Sequence, residues 1–154
     1  MISESHYKNI LEIVRGYCSR SEKCSADVLK KLEFYELTSE QRTSIIETLK
    51  SEKFIDHQRY AKAFVNDKFK FNKWGKIKIY QALKAKNIES EIAREQLENI
   101  DEDEYLEMLK ILLKAKNKQI KETDLYKRKA SIFRFGMSKG FEFEIISQVY
   151  KVLE

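Results

Sequence analysis

FIDHQRYAKAFVNDKFKFNKWGKIKIYQALKAKNIESEI, residues 54–92, carries the start signals and apolar spacings of three successive helices. Asp56 stands where a helix N-cap is expected, and Tyr60, Phe64 and Phe71 recur on one face of a helix predicted from Asp56 to Asn72. Arg59, Lys62, Asn66, Lys70 and Lys73 follow the opposite stripe. Gly75 opens a second helix that runs to Lys86 with Ile79 and Leu83 inward, and Ser90 opens a third that runs to Asn99. The chain has no proline, and its Lys, Glu, Leu and Ile content favours helix over strand.

The same layout recurs on either side. Upstream, the spacing predicts a helix from Ser5 to Cys18 with Ile10, Leu11, Ile13, Val14 and Tyr17 inward. A second helix starts after Ser25 as N-cap with Val28, Leu29 and Leu32 inward. A third starts at Thr38, whose pairing with Gln41 has capping-box spacing. An offset of 51 lays Leu32 on Leu83, Val28 on Ile79, Leu37 on Ile88 and Ile46 on Leu97. Downstream, helices are predicted over Asp103–Lys118, Asp124–Ser138 and Phe141–Leu153. An offset of 53 lays Ile79 on Ile132, Ile88 on Phe141 and Ile92 on Ile145, while Leu83 falls on Gly136, where the third copy is expected to be degraded or repacked. The fold expected is all-α: three tandem three-helix repeats, residues 1–55, 56–100 and 101–154, forming an elongated, curved body. The polar stretch Lys114–Thr123 is the expected flexible connection.

The 154 residues hold 30 Lys or Arg against 25 Asp or Glu, and the net charge of +5 conceals opposing blocks. Residues 57–87 carry nine bases against Asp67 alone, 88–107 nine acids against Arg94, and 110–139 ten bases against Glu122 and Asp124. Separated fields of this kind steer charged partners. Trp74 and several Phe and Tyr residues are interleaved with the first basic block, although helical spacing assigns most of them to the core.

Catalytic chemistry finds little support. Gly75-Lys76 lacks the upstream glycine and the following Ser or Thr of a phosphate-binding loop. Cys18, Cys24, His6 and His57 have none of the familiar metal-ligand spacings, and no nucleophile is grouped with a base and an orienting residue. The run Asp101–Glu104 reads as an Asp N-cap with favourable charge at a helix start. The two cysteines are expected to be reduced, with Cys18 buried, and the absence of an apolar leader or membrane-length run predicts a cytoplasmic protein. No cofactor or metal is expected, since no motif for one is present.

The central stretch resembles the signature of the RecX family, bacterial regulators of the RecA recombinase. The resemblance rests on Phe54-Ile55-Asp56, Arg59-Tyr60-Ala61, Phe64-Val65, Gly75, Ile79, Leu83, Lys86 and Ile88. Arg20-Ser21 and Leu29-Lys30-Lys31-Leu32 extend it upstream, Lys139-Gly140-Phe141 and Ile145-Ile146 downstream. Departures are His57 for the acidic residue that often follows Asp56, Asn87 for a usual glycine, and Trp74 before Gly75. The resemblance implies a non-enzymatic modulator, mostly an inhibitor, of RecA filaments, with the filament as partner and single-stranded DNA as a candidate second one. No heptad stripe compels a dimer, so a monomer is expected. Arg59, Lys62, Lys70, Lys73, Trp74, Lys76, Lys78, Lys127, Arg128 and Arg134 are the expected partner-binding residues. Two other readings are a helical DNA-binding transcription regulator and a helical-repeat adaptor for another protein. The first is weakened by the acidic character of Ser90–Asn99, which is wrong for a recognition helix.

Overall fold

A computed structural model describes residues 2–153, which form nine α-helices and no strand among the described residues. They are α1 (Glu4–Arg20), α2 (Ser25–Leu32), α3 (Ser39–Ser51), α4 (His57–Lys70), α5 (Lys76–Ala85), α6 (Ser90–Glu98), α7 (Glu102–Gln119), α8 (Leu125–Ser138) and α9 (Phe143–Tyr150). The chain divides into two compact units. One takes in the residues up to Phe64 with Leu83–Ala93, the other Val65–Ala82 with Arg94 onward.

Side-chain caps set the helix starts. Thr38 accepts from the Gln41 N–H at 3.1 Å while Gln41 accepts from the Thr38 N–H at 2.9 Å, the capping box anticipated from their spacing. Asp56, Asp101 and Asp124 accept from the N–H groups three residues on, at 3.0, 2.9 and 2.9 Å. The expected Ser25 cap is corrected: α2 begins at Ser25, its N-cap is Cys24, and Asp27 accepts from the Cys24 N–H at 3.1 Å.

The repeat alignment appears directly in burial. Leu32, Leu83, Val28, Ile79, Leu37, Ile88, Ile132 and Phe141 are all buried. Gly136 receives the side chain of Ile146, whose Cδ1 would stand 2.8 Å from a Cβ there, so the missing leucine is replaced by its neighbour on α9. The core of the first unit gathers Ile10, Val14, Cys18, Val28, Leu32, Leu37, Ile45, Leu49 and Ile55. Both cysteines are free and buried, and desolvation raises their thiol pKa values.

Several sequence expectations fail locally: Ile13 and Leu29, expected inward, are 45% and 40% exposed. Phe71 is 79% exposed because α4 ends one residue earlier; the buried stripe is Ala61, Val65 and Phe69 at four-residue intervals, beside Tyr60. The polar stretch from Lys114 is no free connection, since α7 continues to Gln119 and the Arg128 guanidinium pins the loop between α7 and α8. It donates to the carbonyls of Asn117, Ile120 and Glu122 at 2.7–2.9 Å and to Asn117 Oδ1 at 2.6 Å.

The Asp27 carboxylate in the first unit accepts from Lys86 Nζ at 2.6 Å as well as from Cys24. Burial pushes the Asp27 pKa up, but the Lys86 ammonium and the Cys24 donors outweigh it and hold the carboxyl below its ordinary value. A depressed carboxylate contributes stability above its unfolded pKa and loses it as pH falls through the folded one. Asp27→Ala is therefore expected to cost about 2 kcal/mol at neutral pH, combining a helix-start hydrogen bond with a half-exposed ion pair. In urea titrations followed by circular dichroism, the gap from wild type closes as the pH is lowered below about 4.

Candidate partner-binding site

Three lysines and a tryptophan meet in the second unit where the turn after α4 approaches the turn between α8 and α9. The turn after α4 is closed by Lys73 at φ +59° and by a hydrogen bond from the Trp74 N–H to Lys68 O at 3.0 Å. A left-handed lysine costs about 1 kcal/mol, so the surrounding structure enforces this geometry. Gly75 then donates its N–H to Lys139 O at 2.7 Å, and Ile77 donates to Gly140 O at 3.0 Å. These bonds bring Lys139, 66 residues beyond Lys73 in the chain, beside the start of α5.

The ammonium groups crowd there. Lys139 Nζ donates to Asn72 O at 3.1 Å, and burial together with the positive charges of Lys78 and Lys73 depresses its pKa. Among the described residues, no ion pair engages Lys73, Lys78 or Lys139. The Trp74 ring is half-buried between Lys68 and Lys78, whose Nζ atoms lie 5.2 and 4.7 Å from it. Next along α5, the Lys76 amine lies 4.9 Å from the ring of Tyr105, and the Lys76 N–H donates to the Tyr105 hydroxyl at 2.9 Å. Burial and the hydrogen bond to Glu142 push the Tyr105 phenol far above its ordinary pKa, so it remains a neutral strut beneath the site. Lys73, Lys78 and Lys139 are thus like charges held close together without an ion-pair partner among the described residues, an arrangement that an anion would relieve.

Of the residues expected from sequence, Lys73, Trp74, Lys76 and Lys78 belong to this cluster. Lys62 and Lys70 are exposed on α4. Arg59 is engaged internally: Nε donates to Glu22 at 2.6 Å and Nη2 to Lys53 O at 3.0 Å. Arg128 is spent on the loop after α7, while Lys127 and Arg134 are exposed on α8. Lys68 and Lys139 escaped the sequence reading. The signal for Lys139 is its place in the Lys139-Gly140-Phe141 stretch that carries the family resemblance.

In the first unit the structure makes a grouping that spacing did not reveal. His57 Nε2 accepts from the Ser25 N–H and meets Ser25 Oγ, both at 3.1 Å, and its Nδ1 meets Glu89 Oε1 at 3.1 Å. Ser25, His57 and Glu89 thus lie at 32-residue intervals and tie the start of α2 to those of α4 and α6. The backbone N–H of Ser25 occupies the nitrogen that a general base would need, so the trio is an interlock of helix starts. Among the described residues, no group of three or more His, Cys, Asp or Glu is placed to hold a metal ion, and no helix is long and apolar enough to cross a membrane.

The fold defines an all-α protein of consecutive three-helix repeats, and the second unit carries a cluster of lysines beside Trp74. The description "RecX, second three-helix domain" matches residues 56–97 and "RecX, third three-helix domain" residues 102–150. The Regulatory protein RecX of Clostridium botulinum (strain Eklund 17B / Type B) is 33% identical over 134 residues, 86% of this chain and 62% of that protein. That of Finegoldia magna is 25% identical over 151 residues, 97% of this chain and 74% of the relative. The crystal structure of RecX from Lactobacillus salivarius superposes with a TM-score of 0.88 at 19% identity, covering 98% of both chains. The chain belongs to the RecX family of regulatory proteins, and it spans 62% of the length of the Clostridium botulinum relative.

Proposed function

We propose that this protein modulates RecA filaments, chiefly by inhibiting ATP turnover and strand exchange during recombination and repair. One observation carries the reading beyond family membership: the charges of Lys73 and Lys78 crowd Lys139 beside Trp74, whose ring Lys78 faces, and none of the three has an ion-pair partner among the described residues. An approaching anion relieves their mutual repulsion, so a phosphodiester strand or an acidic protein surface of the filament binds there favourably. Lys70 and Lys76 extend the same positive character along α4 and α5.

Seated on the filament, the protein obstructs the incoming duplex or alters the subunit interface that couples ATP hydrolysis to filament growth. It acts by occupancy and assigns no residue a covalent role. The test is RecA ATP hydrolysis on single-stranded DNA, titrated with this protein. The rate is expected to fall as the protein approaches stoichiometry, and the effect to weaken with added salt, because exposed charge contacts are screened over about 8 Å at physiological ionic strength. An unchanged rate at stoichiometric protein would sink the proposal.

A further inference from the structure

A second surface, on α8 and α9 of the second unit, has a different chemistry. Tyr126, Ala130, Phe133, Phe143 and Ser147 line a groove of about 280 Å³ with Lys129. Tyr126 is 82% exposed and Phe143 54%, which is far more aromatic surface than a solvated helix pair needs. Phe133 closes the floor: it is buried, with its ring centroid 5.3 Å from that of Phe143 and 5.4 Å from that of Tyr150. The volume suits one or two side chains and lies below that of a drug-sized ligand site.

Charge surrounds the apolar strip on both sides. With the 100° step of a helix, Tyr126, Ala130 and Met137 form one exposed line on α8, flanked by Lys127 and Arg134 on one side and Lys129 on the other. Lys129 Nζ stands 5.6 Å from the Phe133 ring and 5.5 Å from the Tyr150 ring, held at the groove wall. Helix α8 contains no acidic residue, and the two carboxylates that flank the groove-lining Phe143 are Glu142, which accepts from the Tyr105 hydroxyl, and Glu144 in the first turn of α9. We propose that this groove binds an acidic peptide segment that inserts a bulky apolar side chain between Tyr126 and Phe143 and sets its carboxylates against Lys127, Lys129 and Arg134.

Charge complementarity selects this occupant over a second copy of the chain. The protein's own acidic run at 101–104 leads into Tyr105, which is buried in its own core and unavailable as an anchor. The groove shares no lining residue with the cluster of Lys73, Lys78 and Lys139, so the inference stands without the RecA reading.

The experiment is a ¹⁵N NMR titration of the whole chain with a synthetic peptide in which aspartates and glutamates flank a central Leu-Phe pair. Comparison peptides replace Leu-Phe by Ser-Ser or the acids by lysine, and oligothymidylate provides a nucleic-acid arm. Shifts are expected at Tyr126, Ala130, Phe133, Phe143 and Ser147 with the first peptide alone. Tyr126→Ala, and separately Lys127→Glu with Arg134→Glu, should each weaken binding about tenfold, as loss of an anchor or of its charged rim does. The altered residues are exposed, so an unchanged spectrum of the remaining residues certifies the fold. Shifts centred on Lys73, Lys78 and Lys139, an equal response to oligothymidylate, no response, or undiminished binding by either variant would each overturn the inference while leaving the RecA titration to stand or fall by itself.

Discussion

Gly75→Ala is expected to lower the free energy of unfolding by about 3 kcal/mol, at the upper end for overpacking, because the new methyl group meets backbone and not a yielding side chain. A Cβ at Gly75 would fall inside the contact distance of the Gly140 carbonyl group and of Phe141 N. Those atoms are fixed by the hydrogen bonds from Gly75 to Lys139 O and from Ile77 to Gly140 O, so neither segment can retreat without losing one. Gly140→Ala should be comparably damaging for two reasons. Its Cβ would collide with that of Lys78 and lie 2.8 Å from Lys78 N, and its φ of +94° is strained for any L side chain. Gly16→Ala supplies the opposite sign: nothing lies within 4 Å of a Cβ in this α1 position, and removing an exposed helical glycine stabilises by about 0.5–1 kcal/mol. Urea unfolding by far-UV circular dichroism measures all three; a Gly75→Ala midpoint equal to wild type would mean that the close approach does not exist.

The two damaging glycines are legible in the sequence as motif residues, but their shared purpose is not. Periodicity and the 51- and 53-residue offsets identify helices and inward faces because those depend on short-range spacing. They place Leu32, Leu83, Ile88 and Phe141 in the core correctly. They misplace Phe71, since a face ceases to have meaning one residue past a helix end, and the buried ring there is Phe69. The family departures also acquire physical meaning. Asn87 adopts φ +60° at the end of α5, where Ile88 donates to Leu83 O, and Gly140 holds φ +94° at the matching end of α8, where Phe141 donates to Gly136 O. Asparagine tolerates the left-handed region that glycine otherwise supplies there. His57 replaces an acid and becomes the acceptor that joins Ser25 to Glu89. None of these partnerships can be read from spacing, because which polar atoms meet is decided by where separate helix ends come together. The same limit hid the internal engagement of Arg59 and Arg128 and the arrival of Lys139 beside Lys78.

The combined Lys73→Gln, Lys78→Gln and Lys139→Gln variant is expected to lose RecA inhibition while keeping or slightly gaining stability. A structural lysine network would behave in the opposite way. Burial and the positive neighbours Lys78 and Lys73 lower the Lys139 pKa, so protonation at neutral pH opposes folding and that cost disappears as pH rises through the unfolded value. Neutralising the cluster removes the repulsion that an anionic partner would otherwise relieve, and binding weakens for the same reason that the free protein relaxes. With three fewer cationic contacts, the salt dependence should flatten by about 2 to 3 in the logarithmic slope if all three face single-stranded phosphates. Trp74, the one tryptophan in the sequence, provides a direct reading at the site. Filament or oligonucleotide binding should change its fluorescence in the wild type and leave it unchanged in the triple variant. Arg59→Gln is the informative contrast, because that guanidinium is bonded to Glu22, Lys53 O and Phe54 O. Its replacement should lower the unfolding midpoint, so any loss of inhibition there tracks stability. In the lysine variant, inhibition and stability separate; full inhibition by the folded variant would remove these three amines from the mechanism.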